Sequence, residues 1–267
     1  MRFGFVVPWG DAAEIGELAA LAEAEGWDGL FVWESIYGVD AWVALAIAAT
    51  RTTRIRLGTM LTPLSRRKPW ELAGQVATVD RLSGGRVILT VGLGALDSGF
   101  AEFGEVTDRR VRAELLDEGL DIMKALWTGR PVEYEGRHHR LRPSEFPSIG
   151  HTAQVPHPPI WCVGALGRRR SMDRALRLDG LVPQVTDAAG ARQATLEDLA
   201  AAMPGVRDAT AGRRFDVVIE GSDQEHSPAA WARAGATWWL ESMWGAIGEA
   251  DPVSAAGSRL RQGPPRV

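Results

Sequence analysis

The chain has a single cysteine in 267 residues, so an intramolecular disulfide is excluded, and no cluster of Cys and His shows zinc-site spacing. That cysteine, Cys162, lies in the apolar run Pro159 to Gly164, where a thiol is expected to be buried and inert. No stretch approaches the roughly 20 apolar residues that span a bilayer. The N-terminus carries one positive charge and a five-residue apolar run before Pro8, short of the about 7–15 residues of a signal-peptide core. A cytoplasmic protein with no membrane partner is expected. Neither sign of charge dominates: 30 Lys+Arg oppose 34 Asp+Glu, a formal net charge of -4. The basic residues are scattered, which leaves no basic face to neutralise a phosphate backbone and excludes nucleic acid as a partner. G-x-x-x-x-G-K is absent, so nothing supports nucleotide triphosphate hydrolysis.

What the chain does have is alternation. Short apolar runs ending in Gly, Pro or an acidic residue are followed by helical patterns, the mark of repeated βα units around a parallel sheet. The strands read as Phe3 to Val7, Gly29 to Trp33, Ile55 to Leu61, Val87 to Gly94, Pro159 to Gly164, Gly180 to Gln184, Phe215 to Gly221 and Thr237 to Ser242. Between them fall helical patterns, the first opened by Asp11 with Glu14 three residues on, the capping-box spacing. From Gly129 to Pro159 the repeat breaks into a segment rich in Pro, His, Gly and Arg, an excursion of the kind that sits over ligand sites. About eight strands result, which predicts one α/β domain over residues 1–267, a (β/α)8 TIM barrel with an excursion between strands 4 and 5. A doubly wound sheet is the rival, but PWGDAAE after the first strand lacks its G-x-G-x-x-G turn. The polar tail from Gly257 to Val267 is expected at the surface.

In a parallel barrel the chemistry gathers at the C-terminal strand ends. Those positions hold Pro8, Trp9 and Gly10; Glu34, Ser35 and Tyr37; Thr59, Met60 and Thr62; Gly92, Gly94 and Asp97; Gly164 to Arg170; Gln184; Glu220; and Glu241, Ser242 and Trp244. Glycines there let a planar ligand approach the backbone, and no His is present to ligate a metal or shuttle a proton. The loop Gly164-Ala165-Leu166-Gly167-Arg168-Arg169-Arg170-Ser171 opens a helix, concentrating free N–H groups, a positive dipole end and guanidinium groups where a phosphate can bind. Trp9, Trp33, Trp42, Trp239 and Trp244 fall near the expected mouth; most should fill core, and two or three should wall an apolar substrate pocket. His138 and His139, in the excursion, are expected as surface features.

The succession Arg56 to Pro63, Thr78 to Arg86 (TVDRLSGGR), Val91 to Gly94, Leu126 to Gly129 and Tyr134 to His138 resembles the bacterial luciferase-like monooxygenase superfamily over roughly residues 1–185. The resemblance implies a barrel that binds reduced FMN or coenzyme F420. A non-prolyl cis peptide at Thr59-Met60 would support the ring, Gly92 and Gly94 would line the cleft, and Gly164, Ala165, Arg168 and Arg169 would take the phosphate or tail. Many members carry an acidic residue followed by His after strand two, where this chain has Glu34 and Ser35. Glu34 reads either as the acid or base or as a structural carboxylate, with Ser35 beside it. Some F420 members have Glu after the strand-four glycines, where this chain has Ala95-Leu96-Asp97. Trp9, Tyr37, Asp97 and Trp244 are the candidate substrate contacts. The leading expectation is a monooxygenase using O2 and reduced FMN supplied by a separate reductase. F420-dependent hydride transfer is the alternative, and a non-catalytic flavin-binding barrel the second. The resemblance also implies a homodimer through the helices after strands two and three, where Ala44, Ile47, Ala48 and Ala73 would allow close packing.

Overall fold

A computed structural model describes residues 1–7, 9–144, 151–187, 190–220, 226–244 and 251–265; Pro8 and Gly221, named above, lie outside them. Eight parallel strands form the barrel: β1 (Arg2–Val7), β2 (Gly29–Val32), β3 (Arg56–Thr59), β4 (Val87–Gly92), β5 (Ile160–Leu166), β6 (Gly180–Asp187), β7 (Asp216–Glu220) and β8 (Trp238–Ser242). Each pairs with the next, and β8 pairs back with β1 in the register Arg2↔Trp238 to Val6↔Ser242, so the sheet closes without an edge. The helices α1 (Ala12–Ala24), α2 (Ala41–Arg51), α3 (Pro69–Leu82), α4 (Arg109–Trp127), α5 (Arg169–Leu176), α6 (Leu196–Ala209), α7 (Pro228–Ala234) and α8 (Pro252–Leu260) alternate with them. The capping box opens α1 as its spacing predicts: Asp11 accepts from the Ala13 and Glu14 amides, and Glu14 accepts from the Asp11 amide at 2.7 Å.

Period-two alternation divides the strand side chains between two cores. Outward residues such as Phe5, Leu30, Leu57, Leu89 and Cys162 pack under the helices. Inward residues, Val6, Phe31, Met60, Ile88, Trp161, Val182, Val218, Trp238 and Leu240, fill the lumen. Phe31 stacks on Trp161 at 5.3 Å, and Trp161 meets Trp238 edge-on at 5.2 Å. Rings of this size fit because small residues stand opposite them. A Cβ on Gly180 would lie 2.4 Å from Trp161, and one on Gly58 would lie 2.3 Å from the Ile88 carbonyl oxygen. Below the rings, Asp216 accepts from Trp161 Nε1 (3.3 Å) and from Arg2 (2.7 Å), closing the N-terminal end of the barrel. Among the described residues no helix is long and apolar enough to cross a membrane.

The Ser83-Gly84-Gly85-Arg86 turn earns its place through its arginine. Arg86 is 8% exposed and donates to Ser83 O (2.7 Å), Thr52 Oγ1 (2.7 Å), Ile55 O (3.0 Å), Ala49 O (2.9 Å) and Thr52 O (3.0 Å). It thereby joins the C-terminal ends of α2 and α3 at the base of β3.

Three expectations need correction. The excursion does contain a hairpin, Tyr134–Glu135 against Arg140–Leu141, but His138 and His139 are not free surface residues. His138 Nε2 meets Glu114 at 2.9 Å and His139 Nδ1 meets Glu118 at 3.1 Å, while Glu118 also accepts the amides of Arg137, His138 and His139. Charged partners on α4 bind the hairpin down. Residues 145–150 of the excursion lie outside the described residues. The C-terminal tail begins inside α8, whose Leu260 is fully buried and whose Leu260 carbonyl accepts from Trp27 Nε1. Trp42 and Trp239 belong to the outer core rather than the mouth.

Candidate functional site

The C-terminal mouth of the barrel is built by the loops after β1, β2, β3, β4 and β5 and by the ends of β6 to β8. Its floor is Met60, 6% exposed at the top of the lumen. A non-prolyl cis peptide is present here, one residue later than expected: it joins Met60 to Leu61, not Thr59 to Met60. The reason is the ladder. Met60 still donates its amide to Val32 O at 2.9 Å, so regular pairing runs through Met60. Only beyond it does the chain shift partner, with Thr62 and Pro63 pairing to Val91 and Gly92.

Thr59 faces away from the lumen. Its hydroxyl donates to Thr90 O (3.3 Å), Thr62 Oγ1 lies 3.0 Å from it, and Thr62 donates to Glu34 Oε2 (2.7 Å). Glu34 is 6% exposed; its Oε1 has only ionic contacts, at 3.4 Å to Arg67 Nε and 3.7 Å to Arg66 Nη2. Burial pushes this carboxyl above its ordinary value against the opposing pull of Arg67, Thr62 and Arg66. Every one of these partners lies in the segment after β3, so Glu34 ties the end of β2 to the segment that carries the cis peptide. Arg66 extends the tie, donating to Ser35 O at 3.0 Å and lying over the buried Phe100 ring, which Arg112 covers as well.

Gly92 and Gly94 serve packing within the protein. A Cβ on Gly92 would fall 2.9 Å from Leu61, and one on Gly94, at φ +77°, would fall 2.7 Å from Phe100 and 2.9 Å from Pro63. Two positions above Ile88 on the lumen face stands Thr90, fully buried, whose Oγ1 has no hydrogen-bond partner; two above Leu240 stands Ser242, whose buried Oγ has none either. Buried hydroxyls are seldom left unpaired, and these two have no partner among the described residues. Ser242 was on view among the strand ends. Thr90 was missed, although counting by twos from Ile88 would have found it.

After β5 the chain turns at Gly167 (φ +75°) into α5, whose N-cap residue, Arg168, makes no side-chain cap. Arg168, Arg169 and Arg170 are exposed, and Arg169 meets Asp173 at 3.6 Å. Gly164 is closed in by Leu181, and the Ala165 amide donates to Ser171 Oγ at 2.9 Å. Free amides, the dipole end and guanidinium groups therefore coincide at this helix start.

Across the mouth, Trp33 meets Trp9 edge-on at 5.7 Å and Trp244 at 5.8 Å, and Trp244 donates to Glu220. A cavity of about 210 Å³ opens beside them, lined in part by Trp9, Trp33, Ser35, Tyr37 and Val39. Ser98 completes it where Asp97 was expected; Asp97 itself is exposed and off the lining. Trp244 reaches the cavity only through Trp33. The structure thus groups Trp9, Ser35 and Tyr37 in one place and Thr59 with Glu34 in another. Cys162 is fully buried under the helices, and burial pushes its thiol up to about 12, out of reach of nucleophilic chemistry. Among the described residues no group of three or more His, Cys, Asp or Glu is placed to hold a metal ion.

A closed parallel barrel with a polar-edged, tryptophan-walled mouth and an arginine-flanked, uncapped helix start at α5 has the architecture of small-molecule enzyme folds. The chain belongs to the luciferase-like monooxygenase family, whose model matches residues 1–261. An uncharacterised protein of Mycobacterium tuberculosis (strain ATCC 25618 / H37Rv) is 36% identical over 134 residues, 50% of this chain and 45% of that protein. The F420-dependent glucose-6-phosphate dehydrogenase of Nocardia farcinica is 37% identical over 142 residues, covering 48% and 41% respectively. The matches span less than half the length of these curated relatives. Among solved structures, the coenzyme F420 dependent tetrahydromethanopterin reductase of Methanopyrus kandleri superposes with a TM-score of 0.73 at 18% identity, over 98% of both chains. The FMN-bound oxygenating constituent of 3,6-diketocamphane monooxygenase of Pseudomonas putida gives 0.63 at 19% identity, over 82% of this chain and 66% of that one. At such identities the likeness is one of fold.

Proposed function

We propose that the protein is an oxidoreductase that holds a flavin-type cofactor, coenzyme F420 or FMN, in the barrel mouth with its anionic tail at the start of α5. The observation that carries this reading is a pair of buried, unpartnered hydroxyls, Thr90 Oγ1 and Ser242 Oγ, on the lumen wall of a barrel that also presents an uncapped, arginine-flanked helix start. Such a cofactor, when bound, supplies two electrons, as a hydride or for the activation of O2. Thr90 and Ser242 would bond the ring's polar edges, Met60 and Leu61 would support its face, and Arg168 and Arg170 would hold the tail with the α5 amides. Trp9, Trp33 and Trp244 exclude water, while Ser35 stands at the substrate side. Glu34 acts as a positioning residue, fixing the Met60–Thr62 segment through Thr62.

F420-linked hydride transfer is the first reading, because curated relatives at 36–37% identity include F420-dependent enzymes. FMN with O2, reduced by a separate reductase, is the second; Ala95-Leu96-Asp97, in place of the Glu found in some F420 members, favours it. A cytoplasmic location fits both. We propose further that two copies pair through the groove of about 770 Å³ between α2 and α3, where Val43, Ala46, Ile47 and Leu82 leave apolar surface. Ala44, Ala48 and Ala73 pack inside the subunit instead. Light scattering on Leu82→Glu should then report monomer where the parent reports dimer.

The cofactor test is an anaerobic fluorescence titration of the purified chain with F420, FMN and reduced FMN. Micromolar binding of F420 with substrate-dependent bleaching supports hydride transfer, and preference for reduced FMN followed by an oxygen-dependent transient supports oxygenation. Arg168→Glu/Arg170→Glu should weaken the preferred cofactor about tenfold or more. Binding of none of the three refutes the proposal.

A further inference from the structure

The 210 Å³ cavity constrains the substrate. At roughly 30 Å³ per water molecule it holds about seven waters, and it is smaller than the roughly 300–1,000 Å³ of sites that take drug-sized ligands. Among the described residues no charged side chain lines it. An anion entering there would lose its hydration with no counter-charge to replace it. Arg66 donates to Ser35 O and shares Glu34 with Arg67, and neither guanidinium is on the lining.

The polar inventory is equally narrow. Ser35 Oγ donates to Tyr37 O at 3.1 Å and Ser98 Oγ to Ala95 O at 2.6 Å, so both hydroxyl protons are in use. Trp9 Nε1, buried and with no partner among the described residues, is a donor on the wall that the chain leaves unused, beside the Tyr37 hydroxyl at the exposed rim. The rim continues the apolar character. Tyr37, 83% exposed, stacks on Phe103, 60% exposed, at 6.4 Å and 19°, bridging the loops after β2 and β4. Exposed aromatic pairs at a cavity mouth mark a path for apolar ligands.

We infer that the substrate is a small, uncharged, largely apolar molecule with one hydrogen-bond acceptor, a carbonyl or ether oxygen, that seats against Trp9 and Trp33 and takes the Trp9 N–H. A sugar phosphate, of the kind named for one group of relatives, does not fit a wall without cations. The inference rests on the proposed site and deepens it.

The test is ligand-observed saturation-transfer NMR on the cofactor-free full chain with acetophenone, toluene, benzoate and glucose 6-phosphate. Acetophenone and toluene should bind; benzoate and glucose 6-phosphate, which the start of α5 can also attract, should not displace acetophenone at tenfold higher concentration. Trp9→Phe, which keeps an aromatic wall but deletes the donor with the five-membered ring, should weaken acetophenone by about three- to tenfold more than toluene, the worth of one neutral hydrogen bond. Tyr37→Ala, at an exposed position, should weaken both neutral ligands and keeps the test alive if Trp9→Phe does not fold. Displacement of acetophenone by either anion at equal concentration, no binding of either neutral ligand, or equal loss of toluene and acetophenone in Trp9→Phe overturns the inference. Cofactor titration of the same preparations separates the two claims. A chain that binds F420 or FMN but no acetophenone loses only the substrate assignment, and one that binds acetophenone but no cofactor loses only the cofactor reading.

Discussion

Arg86 offers the sharpest test of how this barrel is held together. Its guanidinium is buried without a carboxylate partner and satisfies four carbonyls and one hydroxyl at 2.7–3.0 Å. In Arg86→Met the aliphatic stem remains and the donors go. Ala49 O, at the end of α2, belongs to the carbonyls that a helix cannot satisfy internally, and Thr52 O and Ile55 O lie in the turn that follows. A buried carbonyl left unpaired costs about 1–3 kcal/mol, while removing a buried charge returns part of its desolvation cost. The four stranded carbonyls, Ser83 O included, less that return leave a loss of about 4 kcal/mol. For a chain of this size each kcal/mol lowers Tm by roughly 2–4 °C, so a fall of about 8–16 °C is expected in a circular-dichroism melt. Arg86→Lys keeps a charge and three donors on a compact head and should lose about half as much. A Tm for Arg86→Met within about 3 °C of the parent, or equal losses for Met and Lys, would refute the reasoning.

Gly58→Ala should cost at least the about 1–3 kcal/mol of an overpacked core, because its Cβ would press within 2.3 Å of a backbone oxygen that cannot step aside; Gly205→Ala, with open space around it in α6, should instead stabilise by about 0.5–1 kcal/mol. A melt in which both variants behave alike would contradict the packing described. The hairpin of the excursion should be acid-labile. Burial raises the Glu118 carboxyl, but the amides of Arg137, His138 and His139 and the His139 ring outweigh it, so its folded value lies below the usual 4.5. A lowered folded value means that the stabilisation is present above the unfolded value and is lost as pH falls through the folded one. Protection factors at the Arg137–His139 amides, which remove the intrinsic pH dependence of exchange, should therefore fall as pH drops through the lowered folded value of Glu118, and Glu118→Gln should have lost that protection already at neutral pH; equal protection in Glu118→Gln and the parent at neutral pH would rule this out.

Much of the barrel was legible because its strands carry their own punctuation. FGFVV ends at a proline, VILTVG runs into glycines, and Asp11 with Glu14 announces α1 at the spacing its hydrogen bonds require. The candidate site was legible as a set of strand ends, which is why Trp9, Ser35 and Tyr37 were named before they were seen to share a cavity. Less visible were features decided by partners distant in sequence. Trp42 and Trp239 look like Trp33 and Trp9 in the chain, yet only the packing of α2 and β8 sends them into the outer core. His138 and His139 read as solvent-facing because Glu114 and Glu118 precede them by a whole helix and a turn.

By itself the sequence determined the count and order of the βα units, the family and the end of the barrel that holds the candidate site, since these follow from local periodicity and from motifs whose spacing is set along the chain. The tertiary structure alone decided which strand face each residue takes at the mouth. It moved the cis peptide to Met60-Leu61, where the ladder changes partner. It showed Gly92 and Gly94 as seats for Leu61 and Phe100, and left Thr90 and Ser242 as buried hydroxyls with nothing of the chain's own to bond. Those outcomes depend on which side chains meet across a closed ring, and closure brings together residues that no local pattern relates.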